Sequence, residues 1–328
     1  MNLRPELTIS SMIHPLSFVL TGAAVGIAAS AEKNFGQMKT LLTPSDAAGQ
    51  FGAGSELALL AGAILENSPC ELRAVGVNGD TQYPEALALL AGSDAEFLLC
   101  GSTDPEILQA AAQAAEQTGK FLVVPCGQNP DEWAERFSSR RVLAVFPAIP
   151  GGHPALGAAL LAGILSRCSG SDSDCRGEDV LGDYPTVPST QPDEIERLLA
   201  RGITVLEPAG VGSACVRAVT TAASPETGEP DPAFRNYRAV RRLDRILSHL
   251  RQKLEESFLA SPSGRLPLEG VRAAAESSLL QLAQQGLLEH YHHLTVTVPE
   301  PGQSGILTME LALPKDCGQV RLDLNFAL

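Results

Sequence analysis

The side chains best suited to chemistry in this sequence lie along one predicted basic helix. Arg238, Arg242, Arg245 and His249 follow one another at three- and four-residue steps, which places them on one helical face. The chain has 24 basic and 38 acidic side chains and a formal net charge of −14, so this face is a positive patch on an acidic protein. Such a patch suits electrostatic contact with an acidic partner surface. The alternative is ordinary surface charges that pair with Asp244 and its neighbours.

The helix that must position these side chains is amphipathic. Between residues 234 and 258, apolar side chains recur at three- and four-residue steps and form one stripe away from the basic face. Two short β-like runs, 203–206 and 215–221, precede it and are joined by a glycine-containing turn, which predicts a hairpin. The predicted order is therefore strand, turn, strand, polar loop and long helix.

Motifs typical of enzymes are weak in this chain. The run from Gly210 to Cys215 begins like a dinucleotide-binding loop, but the third glycine is missing and the next segment is β-like. His290 and His292 would share one face of a strand, yet no further ligands complete a metal set, so a solvated helix–strand junction is favoured. We therefore predict no catalytic residue, no cofactor, no metal site and no enzyme.

The seven cysteines are scattered and include no CxxC pair, which predicts reduced thiols in a cytoplasmic compartment. Cys168 and Cys175 flank a Ser/Asp/Gly loop, where a functional bond or a metal is a minor alternative. The acidic balance argues against nucleic-acid binding. No apolar run is long enough to span a membrane. Residues 16–30 have some features of a signal peptide, but we expect them to contribute a folded strand.

Residues 70–165 alternate short apolar runs with helical stretches, which predicts βαβ units and a mainly parallel sheet. Asp104 is expected to cap the helix that follows it, and Ser45 the first helix of the chain. The predicted fold class is α/β, or α+β overall, because alternating strands follow near the C-terminus. An alternative function is a ligand-binding or enzymatic domain that uses the 70–165 sheet. Its strand ends offer a poor catalytic set, namely Cys100, Gly101, Pro125, Cys126 and Pro147.

Three stretches of sequence carry a resemblance to a known family. They read GITVLEP at 202–208, VRAVTT at 216–221 and FRNYRAVRRLDRI at 234–246. Together they resemble the late region of contractile tail sheath proteins of bacteriophages and phage-tail-like particles, in the Mu-like form. The opening TGAAVGIAASAEK at 21–33, with FGAGSELA at 51–58, is similar to the sheath opening. Residues 70–165 follow the family only in the order of their elements.

The resemblance implies a multi-domain sheath fold with extended terminal arms. On this basis the expected divisions are an N-terminal arm (1–20), an α/β domain (21–190), a C-terminal domain (191–315) with the basic helix at 234–258, and a C-terminal arm (316–328). The arms would add strands to neighbouring subunits by β-augmentation. The candidate side chains of such an inter-subunit strand are Val320, Leu322, Leu324 and Phe326.

The resemblance also implies a function and its partners. Subunits of the family assemble helically around an inner tube and contract, which drives the tube through a target envelope. The implied partners are further copies of this chain, the inner tube protein, baseplate proteins and tail terminator proteins, without nucleic acid or direct membrane insertion. The basic helix is a candidate for the tube contact, and the second amphipathic helix predicted at 268–288 is the alternative. The implied location is the host cell cytoplasm during assembly and then a virion tail or phage-tail-like particle.

Overall fold

Nine strands form one sheet through the larger part of the chain. This computed structural model describes residues 20–127, 129–223, 231, 234–260, 268–298, 305–314 and 319–326. In chain order the strands are β1 (Val25–Ser30), β2 (Met38–Leu41), β3 (Leu72–Val77), β4 (Phe97–Cys100), β5 (Phe121–Pro125), β6 (Val142–Phe146), β7 (Glu178–Asp179), β8 (Ile203–Ala209) and β9 (Gly212–Arg217). They lie in the order β2-β3-β1-β4-β5-β6-β8-β9-β7. The neighbours from β3 to β8 pair in parallel, so the predicted mainly parallel sheet is confirmed.

Seven helices accompany this sheet in the described chain. They are α1 (Pro44–Phe51), α2 (Glu56–Asn67), α3 (Tyr83–Ala91), α4 (Pro105–Thr118), α5 (Pro130–Arg136), α6 (Leu156–Cys168) and α7 (Pro192–Ala200). Apolar side chains of α2 and α6 share one core with the sheet, and those of α3 and α4 share a second core on its other face. The parallel strands are mainly apolar because both of their faces are covered.

The helix starts follow the chemistry of their capping residues. Asp104 accepts a hydrogen bond from the Glu106 backbone N–H at 2.7 Å, which confirms the predicted cap of α4. The prediction for α1 was wrong by two residues, because Thr43 rather than Ser45 caps it. The Thr43 hydroxyl accepts from the Asp46 N–H at 3.2 Å, and the Asp46 carboxylate accepts from the Thr43 N–H at 2.9 Å. This reciprocal pair is a capping box.

The last third of the chain forms a smaller unit. It comprises α8 (Tyr237–Ala260), α9 (Leu268–Gln284), β10 (His290–Thr297), β11 (Gly305–Ala312) and β12 (Gln319–Phe326). The three strands form an antiparallel sheet in the order β10-β11-β12, and one side of it packs with α8 and α9 around a third core. His290 and His292 lie within β10 rather than at a helix–strand junction, because the pairing with β11 begins at His290.

Strand pairing crosses two of the predicted divisions of the chain. A boundary at residue 190 would cut the nine-stranded sheet, because β8 pairs in parallel with β6 and β9 pairs with β8. Residues 319–326 of the expected C-terminal arm form β12 inside the chain's own sheet. The expected N-terminal arm, 1–20, lies outside the described residues except for its last residue. No helix within the described ranges is long and apolar enough to cross a membrane.

The predicted hairpin before the basic helix is present. β8 and β9 are antiparallel and are joined by Gly210 and Val211, and Gly210 has a φ of 55°. The second strand ends at Arg217, earlier than predicted. The following threonines leave the hairpin: the Thr220 N–H donates to the Arg235 carbonyl at 2.9 Å, and the Thr221 N–H donates to the Val142 carbonyl at 3.0 Å. The segment therefore ties the start of α8 to the main sheet.

Candidate functional site on the basic helix

Helix α8 belongs to two cores at once. At its N-terminal end, Tyr237 and Val240 pack into the core on the α2 and α6 face of the nine-stranded sheet. Ala239, Leu243 and Ile246, together with later apolar residues of the stripe, pack into the core of the smaller unit. Because three- and four-residue steps place these two sets on adjacent strips of the helix, a single element joins both units.

The junction with the main sheet is aromatic. The Tyr237 ring lies edge-on to the Phe121 ring at 5.1 Å between centroids, and the Phe97 ring lies 6.4 Å away. Burial raises the pKa of the Tyr237 hydroxyl well above its ordinary value, so this phenol stays neutral. The same hydroxyl accepts a hydrogen bond from Arg241 Nη1 at 3.2 Å. A packed aromatic cluster thus fixes the first turn of α8.

The basic side chains of α8 hold a loop of the chain itself. We call residues 168–175 the latch loop; it follows the end of α6. The Ser169 carbonyl accepts hydrogen bonds from Arg241 Nη2 and from Arg245 Nη2, each at 2.8 Å. The Asp172 carboxylate accepts from Arg242 Nε at 2.7 Å. Three arginines of α8 therefore bind the latch loop.

Arg242 is the most buried of these arginines, with 3 % of its side chain exposed. Its guanidinium forms an ion pair with Asp172 and also donates from Nη1 to the Pro314 carbonyl at 2.7 Å. Pro314 follows β11 closely in the chain. Since a buried charge requires both a counter-ion and hydrogen-bond partners, this residue fixes the latch loop, α8 and the small sheet relative to one another.

A second set of charges joins α8 to the main sheet. The two terminal guanidinium nitrogens of Arg141, Nη1 and Nη2, donate to the two carboxylate oxygens of Asp244, each at 2.6 Å. The Arg141 guanidinium lies 5.1 Å from the centre of the Phe121 ring. Arg241 forms an ion pair with Glu96 at the start of β4. Burial raises the pKa of Glu96, while the neighbouring Arg241 opposes that rise.

The four residues predicted to contact an acidic partner do not form an open face. Arg242 is buried, and Arg238, Arg245 and His249 are each partly buried. Arg238 Nε lies 4.0 Å from the Asp172 carboxylate. The expectation of a free positive patch is therefore corrected, because the latch loop covers much of this face. Arg242 and Arg238 pair with Asp172 and Arg245 bonds the Ser169 carbonyl, while any contact with a partner remains a prediction.

The sequence did not predict which groups pair with the charged side chains of α8. The expected intrahelical partner, Asp244, instead pairs with Arg141, which is 103 positions away in the chain. Asp172 and the Ser169 carbonyl come from a loop about seventy residues before α8. The acidic Ser/Asp composition of that loop was the one signal available. Helical periodicity shows which residues share a face but not what covers it.

The predicted inter-subunit strand is paired within the chain. Val320 lies opposite Leu311, Leu322 opposite Met309, Leu324 opposite Leu307 and Phe326 opposite Gly305 in the β11–β12 ladder. Val320 is buried, while Leu322 and Leu324 are half-buried against the core of the smaller unit. In the described residues, β12 has β11 as its single neighbour, so its other edge is unpaired. Pairing with a second subunit at that edge stays a prediction.

A cleft of about 400 Å³ lies at the carboxyl ends of β5 and β6. It is lined by Thr103, Pro125, Cys126, Gly127, Trp133, Phe146, Ala148 and Pro154. Burial raises the pKa of the Cys126 thiol to about 12, which leaves it protonated and unreactive. Among the described residues that line it there is no carboxylate, histidine or lysine.

A half-buried carboxylate that the sequence did not single out lies elsewhere at the strand ends. Glu56 Oε1 is 3.2 Å from His153 Nε2, and a β carbon at Gly101 would lie 2.4 Å from the same oxygen. Burial raises the pKa of Glu56 to about 7 and lowers the pKa of His153. The two side chains therefore favour their neutral forms. Among the described residues, no group of three or more His, Cys, Asp or Glu side chains could hold a metal.

Comparison with known proteins shows the fold. No protein-family model matches the chain, and no curated protein matches it. A crystal structure of a sheath tail protein from Desulfitobacterium hafniense superposes with a TM-score of 0.70 at 12 % identity, covering 98 % of this chain and 100 % of that one. A chain of the anti-feeding prophage baseplate gives 0.62 at 17 % identity, and a chain of the contracted anti-feeding prophage helical sheath gives 0.61 at 16 % identity. For both, the superposition covers 100 % of this chain and 96 % of the other. The chain therefore has the fold of sheath tail proteins, as the sequence resemblance predicted.

Proposed function

We propose that this chain is a structural subunit of a contractile tail sheath, which polymerises helically around an inner tube and contracts to drive the tube through a target envelope. The observation that carries the proposal is the match over the whole chain to a subunit of a contracted helical sheath. The match includes the smaller unit and its antiparallel sheet as well as the common α/β core. The fold alone would permit other roles, so the proposal also draws on the sequence motifs and the strand edges.

The strand edges suit a continuous assembly. The outer edges of β10 and β12 have no partner strand in the described part of the chain. An unpaired edge accepts an extended segment by β-augmentation, and contacts between unlike surfaces that do not close into a ring generate helical filaments. On this proposal, residues 1–20 and 316–328 are the arms that connect neighbouring copies. The body that they connect comprises two units that share α8, rather than units divided at residue 190.

The proposed partners follow from the same role. They are further copies of the chain, an inner tube protein, baseplate proteins and tail terminator proteins. The net charge of −14 supports protein partners over nucleic acid. We propose no cofactor and no enzymatic activity. Assembly would take place in the host cell cytoplasm, and the product would be a virion tail or phage-tail-like particle.

The tube contact is proposed to involve side chains of α8 that remain partly exposed. Of Arg238, Arg242, Arg245 and His249, the buried Arg242 cannot reach a partner while α8 stays docked on the latch loop. The other three remain candidates through their exposed parts. Charge-reversal variants that abolish tube decoration without altering sheath tubes would support them, whereas unchanged decoration would move the contact elsewhere.

Negative-stain electron microscopy of the purified chain, with and without its tube protein, tests the main proposal. We expect hollow, ridged cylinders of uniform width. The matched control is a variant that lacks residues 317–328, examined at the same concentration. Monomers or small closed rings from the intact chain under both conditions would contradict the helical lattice.

A further inference from the structure

A cleft of about 660 Å³ lies at one edge of the nine-stranded sheet, beside β9 and β7. Three arginines from separate parts of the chain line it. Arg217 is the last residue of β9, Arg235 lies two residues before α8, and Arg176 lies two residues before β7. Because the chain as a whole carries a net charge of −14, three positive side chains in one concave surface mark a candidate binding site.

Two of these arginines have hydrogen-bond donors that the described chain does not satisfy. The Nε–H groups of Arg217 and Arg235 are buried, and neither has an acceptor among the described residues. Arg235 Nη1 does donate to the Thr220 carbonyl, at 3.3 Å. A buried donor without an acceptor costs free energy, so a bound group that accepts hydrogen bonds would stabilise this cleft.

The fold holds Arg235 in place. The Thr220 N–H donates to the Arg235 carbonyl at 2.9 Å, and the Arg235 N–H donates to the Asp231 carbonyl at 2.8 Å. Gly202 leaves room for the guanidinium, since a β carbon at Gly202 would overlap Arg235 Nη1. Burial lowers the pKa of Arg235 to about 10, so its side chain is still charged at neutral pH. A charged guanidinium fixed in this way is preorganised to bind an anion.

Two carboxylates also line the cleft, those of Glu196 and Glu207. Neither of them supplies an acceptor to the buried Nε–H groups of Arg217 and Arg235. Their negative charge opposes an anion, so the affinity for an anion should depend on them as well as on the arginines. Nucleic acid requires an extended basic surface, whereas this positive region is confined to one cleft, which suits a small anion.

We propose that this cleft binds a small, doubly charged oxyanion of the phosphate class through Arg217 and Arg235. The N–H donors of a guanidinium match the spacing of phosphate oxygens, and hydrogen bonds between charged groups are the stronger ones. Two guanidinium charges balance a doubly charged anion better than a singly charged carboxylate. Arg176, whose side chain is 65 % exposed, pairs with Asp174 at 3.5 Å and adds mainly long-range attraction. Such binding would be a property of the single chain, independent of the proposed assembly into a sheath.

Isothermal titration calorimetry of the full chain with inorganic phosphate tests the proposal. The titration should be made near pH 8, where most of the phosphate is doubly charged, and at constant ionic strength. We expect saturable binding of one phosphate per chain and much weaker binding of acetate. The absence of saturable phosphate binding would overturn the proposal, and acetate that bound as tightly as phosphate would overturn the assignment to the phosphate class.

Variants of the arginines locate the site. Arg217→Gln and Arg235→Gln each remove a charged donor, so each should weaken phosphate binding about 10- to 100-fold. Arg197→Gln is the matched control, because Arg197 does not line the cleft and pairs with Glu194 and Asp131. Its affinity for phosphate should be unchanged. An unchanged affinity in Arg217→Gln, or an equal loss in Arg197→Gln, would overturn the assignment to this cleft.

A variant of the opposite sign completes the test. Glu207→Gln removes a negative charge from the wall of the cleft and should strengthen phosphate binding about two- to fivefold. Weaker binding in this variant would contradict the proposed site. If Arg235→Gln does not fold, Arg217→Gln still decides the question, because Arg217 Nε has no acceptor to lose within the described chain.

Discussion

The ion pair between Arg242 and Asp172 predicts an asymmetric response to mutation. The Arg242 side chain is 3 % exposed, whereas the Asp172 side chain is 34 % exposed. Asp172→Ala leaves a buried guanidinium without the carboxylate that neutralises it. Arg242→Met instead fills much of the buried volume with an apolar side chain and leaves a carboxylate that water can reach. Removing the more exposed partner should therefore destabilise the protein more than removing the buried one.

The magnitudes follow from what each change leaves buried. Loss of the counter-ion of a buried charge costs about 3–5 kcal/mol of unfolding free energy, so we expect this range for Asp172→Ala. Arg242→Met should cost about 1–2 kcal/mol, because the remaining carboxylate regains hydration. Arg238→Met is the matched control on the same helix. Its Nε lies 4.0 Å from Asp172, so its loss should cost less than about 1 kcal/mol.

Urea unfolding followed by circular dichroism measures these differences. The variants should be compared at a concentration where the protein is monomeric, because assembly would add to the apparent stability. Equal slopes of free energy against urea would show that the change is one of stability. If Arg242→Met cost as much as Asp172→Ala, or if Arg238→Met matched either of them, the reasoning from burial would be refuted.

Three further predictions concern the backbone, the buried carboxylate and the last strand. Gly202→Ala should cost about 3 kcal/mol and Gly210→Ala about 1 kcal/mol in thermal unfolding. Both glycines have a positive φ. A β carbon at Gly202 would lie 2.5 Å from the Thr220 carbonyl oxygen, whereas a β carbon at Gly210 would have no atom within 4 Å. Equal losses of stability in the two variants would contradict this account. Burial raises the pKa of Glu56 from 4.5 to about 7, so the native state binds the extra proton and wild-type stability falls as the pH rises through that window. Glu56→Gln cannot ionise and should gain about 3 kcal/mol relative to wild type between about pH 4.5 and pH 8, and a gain independent of pH would oppose this cause. Removal of residues 317–328 deletes β12, and sheath tubes seen by electron microscopy should be lost; tubes that form as readily as with the intact chain would refute the role of this strand.

The order of helices and strands could be predicted because it depends on local patterns. β3 and β5 coincide with two of the short apolar runs of residues 70–165, and both runs are flanked by polar residues or turns. Asp104 followed by Pro105 marks the start of α4 in the same way. The N-cap of α1 was misplaced because Thr43, Ser45 and their neighbours offer several hydroxyl groups, and the carboxylate of Asp46 selects between them.

The contacts of the basic helix could not be predicted, because they depend on distant parts of the chain. The stripe of α8 was correctly identified, yet it serves two cores, and Tyr237 and Leu243 enter different ones. The charged side chains of α8 outside this stripe form ion pairs with Asp172, Glu96 and Arg141, none of which is near α8 in sequence. A positive face in a sequence therefore predicts an acidic partner but not whether that partner belongs to the same chain.

Because α8 is shared by both units, a small rotation at one of its ends would displace the other end by a larger distance. α8 has 24 residues and a rise of about 1.5 Å per residue, so it is about 36 Å long. Its N-terminal end is clamped by the aromatic cluster and the latch loop, while its later turns carry the small sheet. If α8 rotates by about 10° about its N-terminal end, its C-terminal end moves by about 6 Å. This displacement exceeds the spacing of about 4.8 Å between paired strands. A small adjustment at three arginines would thus displace the outer strand edges by more than one strand position.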